Sequence, residues 1–305
     1  MRLVTINTWG VPKHDLIGRM RKLTTGLKEY APDIACLQEV AFPHVQGHIR
    51  NALSEDFHIV SSRHSQLRWP YVAYLPLVLL TLAFLTNALQ LRWWLVLVVC
   101  CHPFVIQKTV ECVVKGSFDH MGLTTLVHRS TCQSVQHIHT EAFVSDIRGY
   151  GLKWMNPFLW WFSMTFLRPG FMIVKTIGIE DALVVNVHLA PEDDARHIRY
   201  VQVQRVNECV RRASFQHKCT NVIIVGDLND NKYSNTYRRL RLEADDNGSL
   251  IDAAPHVGAT FAEESIDHIF VSQKFHLRNS ERIFDGAATP IISDHFGLLV
   301  DIHAN

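Results

Sequence analysis

The chain has 305 residues, 48% of them hydrophobic, enough for one large core or for two domains of ordinary size. Its charges nearly cancel, 30 Lys and Arg against 29 Asp and Glu, and no dense basic block occurs, which argues against a protein that recruits a polyanion through a global positive field. Seven cysteines, odd in number and without CxxC spacing, read as reduced buried thiols of a chain facing the cytosol and exclude a disulfide scaffold.

Met1-Arg2-Leu3-Val4-Thr5-Ile6 reads as a strand from the outset, with neither the long apolar region nor the cleavage site of a signal peptide. It leaves Asn7 at its C-terminal mouth, in the turn Asn7-Thr8-Trp9-Gly10-Val11-Pro12. Leu16, Met20, Leu23, Leu27 and Tyr30 recur at spacings of three and four, so an amphipathic helix is expected over 14–30, stopped by Pro32. Asp33 to Gln38 predicts a second buried strand that delivers Glu39 to its end, giving a β-α-β start. A third strand is expected near Phe57 to Ser62.

The stretch from Trp69 to Val114 has a different character. Residues 71–89 contain no charged residue, and 93–107 none apart from His102. Each run, extended slightly, approaches the roughly 20 residues that cross a bilayer as a helix. Asn87, Gln90 and Arg92 supply a polar turn between them, and Trp69, Tyr71, Trp93 and Trp94 sit where interfacial aromatics belong. The expectation is a membrane hairpin over 69–114, spanning or re-entrant, interrupting one catalytic domain of residues 1–305; the alternative is a hairpin buried in a core. Arg63, Arg68, Lys108 and Lys115 flank it while Arg92 alone lies in the turn, which places the main domain in the cytosol.

Gly122 to Val127 predicts another strand. Trp154 to Met172, rich in aromatics and broken by Arg168-Pro169-Gly170, reads as a core segment or an interfacial wedge. Phe171 to Ile177 and Ala182 to Val187 read as a hairpin whose second strand ends in His188. Asp193 and Asp194 suit the cap of a helix buried through Ile198, Val201, Val206, Cys209, Val210 and Ala213. Val222-Ile223-Ile224-Val225, all β-branched, reads as a strand buried on both faces, ended by Gly226. Asp227 and Asn229, two apart, point the same way in an extended chain and suit a metal ion, a water and a phosphate; an Asx-rich turn is the ordinary alternative. After a polar stretch, Ser265 to Val271 carries Asp267, and Ser293-Asp294-His295 precedes a last strand, Phe296 to Ile302.

Asn7, Gln38-Glu39, Val187-His188-Leu189, Gly226-Asp227-Leu228-Asn229, Ile266-Asp267 and Ser293-Asp294-His295 resemble the ordered motifs of the endonuclease/exonuclease/phosphatase superfamily. The resemblance implies an α/β (α+β) fold, a four-layered sandwich of two mixed β-sheets flanked by helices, here with an inserted hydrophobic hairpin. It also implies a metal-dependent phosphodiesterase using Mg²⁺ or Mn²⁺, with Asn7, Glu39 and Asp294 at the metal and His188, Asp227, Asn229, Asp267 and His295 as catalytic residues. Asp227 or His295 would take the proton of the attacking water. The opening Asn7 to Pro12, followed by Arg19-Met20-Arg21-Lys22-Leu23, is most similar to neutral sphingomyelinases, implying a membrane-lipid substrate and a bilayer as partner. The near-zero net charge disfavours nucleic acid; a nuclease or nucleotide phosphodiesterase, an inositol lipid phosphatase and an inactive membrane adaptor are the competing expectations.

Overall fold

Strand β1 (Arg2–Asn7) sets the pattern of the molecule, with Leu3 on one face and Val4 and Ile6 on the other, each face meeting a different core. The computed structural model describes residues 1–10, 15–40, 42–62, 122–143, 169–178, 180–191, 196–244 and 248–304. Helix α1 (Leu16–Tyr30) starts on Asp15, whose side chain accepts the Gly18 N–H at 3.1 Å, and stops where Ala31 turns left-handed. β2 (Ile34–Gln38) runs parallel to β1 with Asn7 opposite Gln38, so the expected β-α-β start is present.

The order continues α2 (Pro43–Leu53), β3 (Phe57–Ser61), β4 (Thr124–His128), β5 (Cys132–Ala142), β6 (Gly170–Gly178), β7 (Ala182–His188), α3 (Arg196–His217), β8 (Val222–Asp227), α4 (Asn235–Glu243), β9 (Ile251–Asp252), β10 (Asp267–Val271), β11 (Phe275–Ile283) and β12 (Gly297–Ala304). Two six-stranded sheets result, β11-β12-β1-β2-β4-β3 and β5-β6-β7-β8-β10-β9. Each has one parallel pair at its centre, β1-β2 and β7-β8, and antiparallel pairs elsewhere.

Leu3, Ile34, Val174, Val184, Ile223, Val225, Ile269 and Val300 pack between the sheets. Met20, Leu23 and Leu27 of α1 cover Val4, Ile6 and Leu37 on the outside of the first sheet, and Val203, Val206 and Val210 of α3 cover Val185, Val187 and Ile224 on the outside of the second. The four layers are those expected, and each fully buried aliphatic side chain contributes about 1.5–3 kcal/mol relative to exposure.

Toward the C-terminal ends of the two parallel pairs the inner layer becomes polar. Gln38 Nε2 donates to Asn186 Oδ1 at 2.8 Å, and Asn186 Nδ2 donates to Leu37 O and Thr124 O, both at 3.2 Å. Gln38 and Asn186 are fully buried, so the sheets are cross-linked by hydrogen bonds one layer beneath the strand ends.

Gly226 does not end its strand; β8 runs on to Asp227. With φ at +148°, and a Cβ that would lie 1.9 Å from Val187 O, glycine is required because β7 approaches there, and that approach brings His188 level with Asp227. Every described residue belongs to a unit of Met1–Ser62 with Met121–Asn305; Arg63–His120 forms a second and lies outside the described residues, and the hairpin expected over 69–114 lies there with it. Asp193, Asp194 and residues 154–168 are likewise outside. Among the described residues no helix is long and apolar enough to cross a membrane.

Candidate active site

Strand register assembles the site. His188, Asp227 and Asp267 are consecutive partners across β7, β8 and β10, and Asn7 stands opposite Gln38 at the end of β1-β2, with Glu39 next along the chain. The two groups meet. Asn7 Nδ2 donates to Glu39 Oε1 at 3.0 Å and to Asp227 Oδ2 at 2.9 Å, while its Oδ1 accepts the Trp9 N–H at 3.0 Å. Asn7 therefore presents its nitrogen, not its oxygen, to the carboxylates.

Glu39 leaves β2 with a left-handed backbone, φ +59°, and its Oε2 accepts the Gly10 N–H at 3.0 Å. A Cβ at position 10 would lie 2.1 Å from the Glu39 main-chain O, so glycine lets the Trp9-Gly10 turn lie directly against the Glu39 backbone. Arg19, buried on α1, donates to Thr8 O at 3.1 Å, Ile292 O at 2.9 Å and Trp9 O at 3.0 Å, joining that turn to the segment that carries His295.

His188 Nε2 lies 3.9 Å from Glu39 Oε1 and 3.8 Å from Asp227 Oδ2. Asp227 is fixed from its other side by the Asn229 N–H at 2.8 Å on Oδ1. Asn229 is left-handed, φ +49°, and gives Nδ2 to Leu189 O at 3.0 Å, so the Asp227-Asn229 pair is a tight turn and not the extended arrangement its spacing suggests. His295 Nδ1 bonds Asp267 Oδ2 at 2.9 Å, and its Nε2 faces Asp227 Oδ2 at 3.8 Å. Ser293 Oγ donates to Asn7 O at 2.7 Å and accepts the His295 N–H at 3.2 Å, tying the histidine to β1. Asp294 is exposed beside the cluster, with its Oδ1 on Ser293 Oγ.

Burial draws the His295 imidazole down, but the charges of Asp267 and Asp227 outweigh it and its pKa is raised to about 10. Burial, and then the charge of Asp267, raises Asp227 against the opposing pull of His295, His188 and Asn7. The structure thus brings together Asn7, Glu39, His188, Asp227, Asn229, Asp267 and His295. Sequence reasoning passed over Asn186 and gave Arg19 and Ser293 no role of their own within the motifs that contain them, although an arginine on the apolar stripe of α1 was a legible signal for one of them.

The residues fit a hard divalent cation. Glu39 and Asp227 converge on one amide nitrogen, Glu39 is 13% exposed and so within reach of solvent, and Asp267 Oδ1 is buried with no partner, leaving the site oxygen-rich. Asp227, Asp267 and His295 offer ligand atoms within 4.8 Å of one another, but all three are buried and two are joined as a hydrogen-bonded pair, which leaves Glu39 as the accessible ligand. A second cluster, His139, Glu141 and Cys209, is held by Arg205, which takes both oxygens of Glu141 at 2.8 and 3.0 Å. It is an ion pair on the surface of β5 and α3.

No curated protein matches the chain by sequence. Solved structures share its fold: a functionally unknown conserved protein from Enterococcus faecalis V583 (16% identity, TM-score 0.61, covering 100% of both chains), D. rerio TDP2 complexed with single strand DNA product (13%, 0.57, covering 100% of this chain and 99% of that one), and an endonuclease/exonuclease/phosphatase from Bacteroides vulgatus (14%, 0.58, covering 100% and 98%). A model of the Endonuclease/Exonuclease/phosphatase family matches residues 4–295, and the chain accordingly belongs to that family and is a metal-dependent phosphoester hydrolase.

Proposed function

We propose that the chain is a Mg²⁺-dependent phosphodiesterase of the sphingomyelinase or phospholipase C type, releasing a phosphorylated headgroup from a membrane lipid. What supports the lipid substrate is where the apolar segments are rooted. The chain leaves at Ser62 and returns at Gly122, whose carbonyl accepts the N–H of Val40, the neighbour of Glu39, at 2.7 Å. The second departure closes where Phe143 N–H meets Pro169 O at 3.1 Å, next to Gly170, the register partner of His188. The described residues at which the chain departs and returns therefore lie beside the catalytic mouth, and the sequence between them is uncharged over 71–89 and 154–167. Apolar surface rooted there favours a phosphoester lying at a bilayer interface, and the flanking arginines and lysines favour a cytosolic catalytic domain.

Glu39, held in place by the Asn7 amide N–H and with Asp294 beside it, would hold Mg²⁺, which when bound polarises a phosphate oxygen and offsets developing negative charge. Asp227, fixed by the Asn7 amide and the Asn229 main-chain N–H, orients the attacking water, and the Asn229 carboxamide holds the turn closed on Leu189 O. His295, its Nδ1 tied to Asp267, exchanges a proton through Nε2 on the side facing Asp227. His188 donates through Nε2 to a nonbridging oxygen.

The test is parallel incubation of purified protein with sphingomyelin, a lysophospholipid, an inositol phospholipid and plasmid DNA, with Mg²⁺ or EDTA. Phosphorylated headgroup released from a lipid and abolished by EDTA is the expected result. Nicked DNA beside intact lipids would replace this reading with the nucleic-acid one, for which the TDP2 structure with single strand DNA product is the supporting observation. Orthophosphate from the inositol lipid alone would make the chain a phosphatase, and no turnover at all an adaptor.

A further inference from the structure

We infer that Arg199 is a positioning residue for the hydrolysis: through Ala190 and Asp230 it fixes the ends of β7 and β8 against each other, and with them the separation of His188 from Asp227. The need for such a residue follows from the ladder. His188 and Asp227 are the last register pair of β7-β8, and Asp227 and Asp267 are the pair at the same end of β8-β10. The reacting side chains therefore stand on the outermost rung, beyond which the ladder no longer holds the chains in line. Loose strand ends would be costly there, because a misplacement of about 1 Å can lower a rate on the order of 10²-fold.

Each chain is caught again just past that rung. Leu189 N–H reaches Asp227 O at 3.0 Å. Next along, α3 takes both main-chain groups of Ala190: Gln202 Oε1 accepts its N–H at 3.0 Å, and Arg199 Nη1 donates to its carbonyl at 2.9 Å. Arg199 Nε also lies 3.4 Å from Asp230 Oδ2, three residues past Asp227. The Asp230 carbonyl in turn accepts from His268 Nε2 at 3.1 Å, and His268 is the residue after Asp267. One side chain of α3 thus joins the segments leaving β7 and β8, and Asp230 carries the link to β10. Arg199 and Asp230 are both buried. A buried ion pair is a poor source of stability, because desolvating two charges offsets much of their attraction. What this one supplies is geometry, since the planar guanidinium bonds its partners in set directions.

This rests on the roles given above to His188 and Asp227, so the test reads turnover and geometry separately. Purified full-length wild type is compared with Arg199→Lys and with the double variant Arg199→Met/Asp230→Leu, in which an apolar pair fills the buried site. Replacing a buried ion pair by apolar residues of similar volume is often neutral for stability, so the double variant should keep a cooperative urea transition. Its kcat on a soluble p-nitrophenyl phosphodiester should nevertheless fall about 10- to 100-fold with KM unchanged, and the His188 imidazole resonances of the metal-free protein should move. A folded double variant with wild-type kcat, or with unmoved His188 resonances, would overturn the inference and leave Arg199 as a structural residue. Should the double variant not fold, Arg199→Lys decides. Its ammonium keeps the charge without the fork, so kcat should fall about tenfold, and an unchanged kcat would overturn the inference. A wild type without turnover of the diester would count against the phosphodiesterase reading, and the His188 resonances alone would then decide the positioning role.

Discussion

At the residue scale, the Asp267–His295 pair is the feature most open to measurement. Its imidazole, at about 10, lies above the ordinary value of 6.5 because two carboxylates face a buried ring. Asp267→Asn removes the nearer charge, so the His295 pKa should fall, as read from the imidazole proton resonances of metal-free protein. Turnover should drop on the order of 10²- to 10⁴-fold, the range for a disturbed acid–base group. Gly226→Ala acts on the backbone: positive φ and a Cβ 1.9 Å from Val187 O should destabilise by about 3 kcal/mol or more in urea unfolding. Cys36 offers a silent control. Burial raises its thiol pKa to about 12, so it should resist thiol reagents until the protein is unfolded.

At the scale of elements, the seam between the first and last strands carries a pH signature. Arg2 forks onto Asp301 at 2.9 and 3.1 Å, and this bond holds the Asp301 carboxyl below its ordinary 3.8. A depressed carboxyl contributes stability above its unfolded pKa and loses it as pH falls through the folded value. The unfolding difference between wild type and Asp301→Asn should therefore be present at pH 6 and shrink below pH 4. Both partners are partly exposed, so its size is about 0.5 kcal/mol and declines with salt. The same scale explains what the sequence hid. Central strands such as β7 and β8 were readable because they are buried throughout. β5 and β11 are edge strands that are mostly polar, with little buried surface to impose alternation, and α4 and β9 are short pieces; α2, opened by Pro43 and buried through Val45, Ile49 and Leu53, carried a helical stripe that was left unread. The site residues were legible because each is a polar residue at or beside one end of a buried run. Asn186 was not, since only its partner across the sandwich, Gln38, distinguishes it from a strand residue facing water.

For the whole molecule, Ser61 and Thr124 are register partners on β3 and β4, so a short turn can close the chain across the root of the first insertion. Replacing 63–121 with such a turn should leave a folded hydrolase with undiminished turnover of a soluble p-nitrophenyl phosphodiester and much reduced action on vesicles. Loss of folding would instead identify those residues as core.

The closure of β12 onto β1, in register from Arg2 with Asp301, also governs timing. The site draws on residues from Asn7 to His295, and its two halves meet across contacts that are remote in sequence. Such topology makes folding slow. On the ribosome, where synthesis proceeds at about 5–20 residues per second, β1 must wait for nearly the entire chain before its last neighbour exists. A nascent polypeptide therefore exposes apolar segments long before it acquires catalysis, an interval in which a chaperone or a membrane could engage it while it is still harmless to its surroundings.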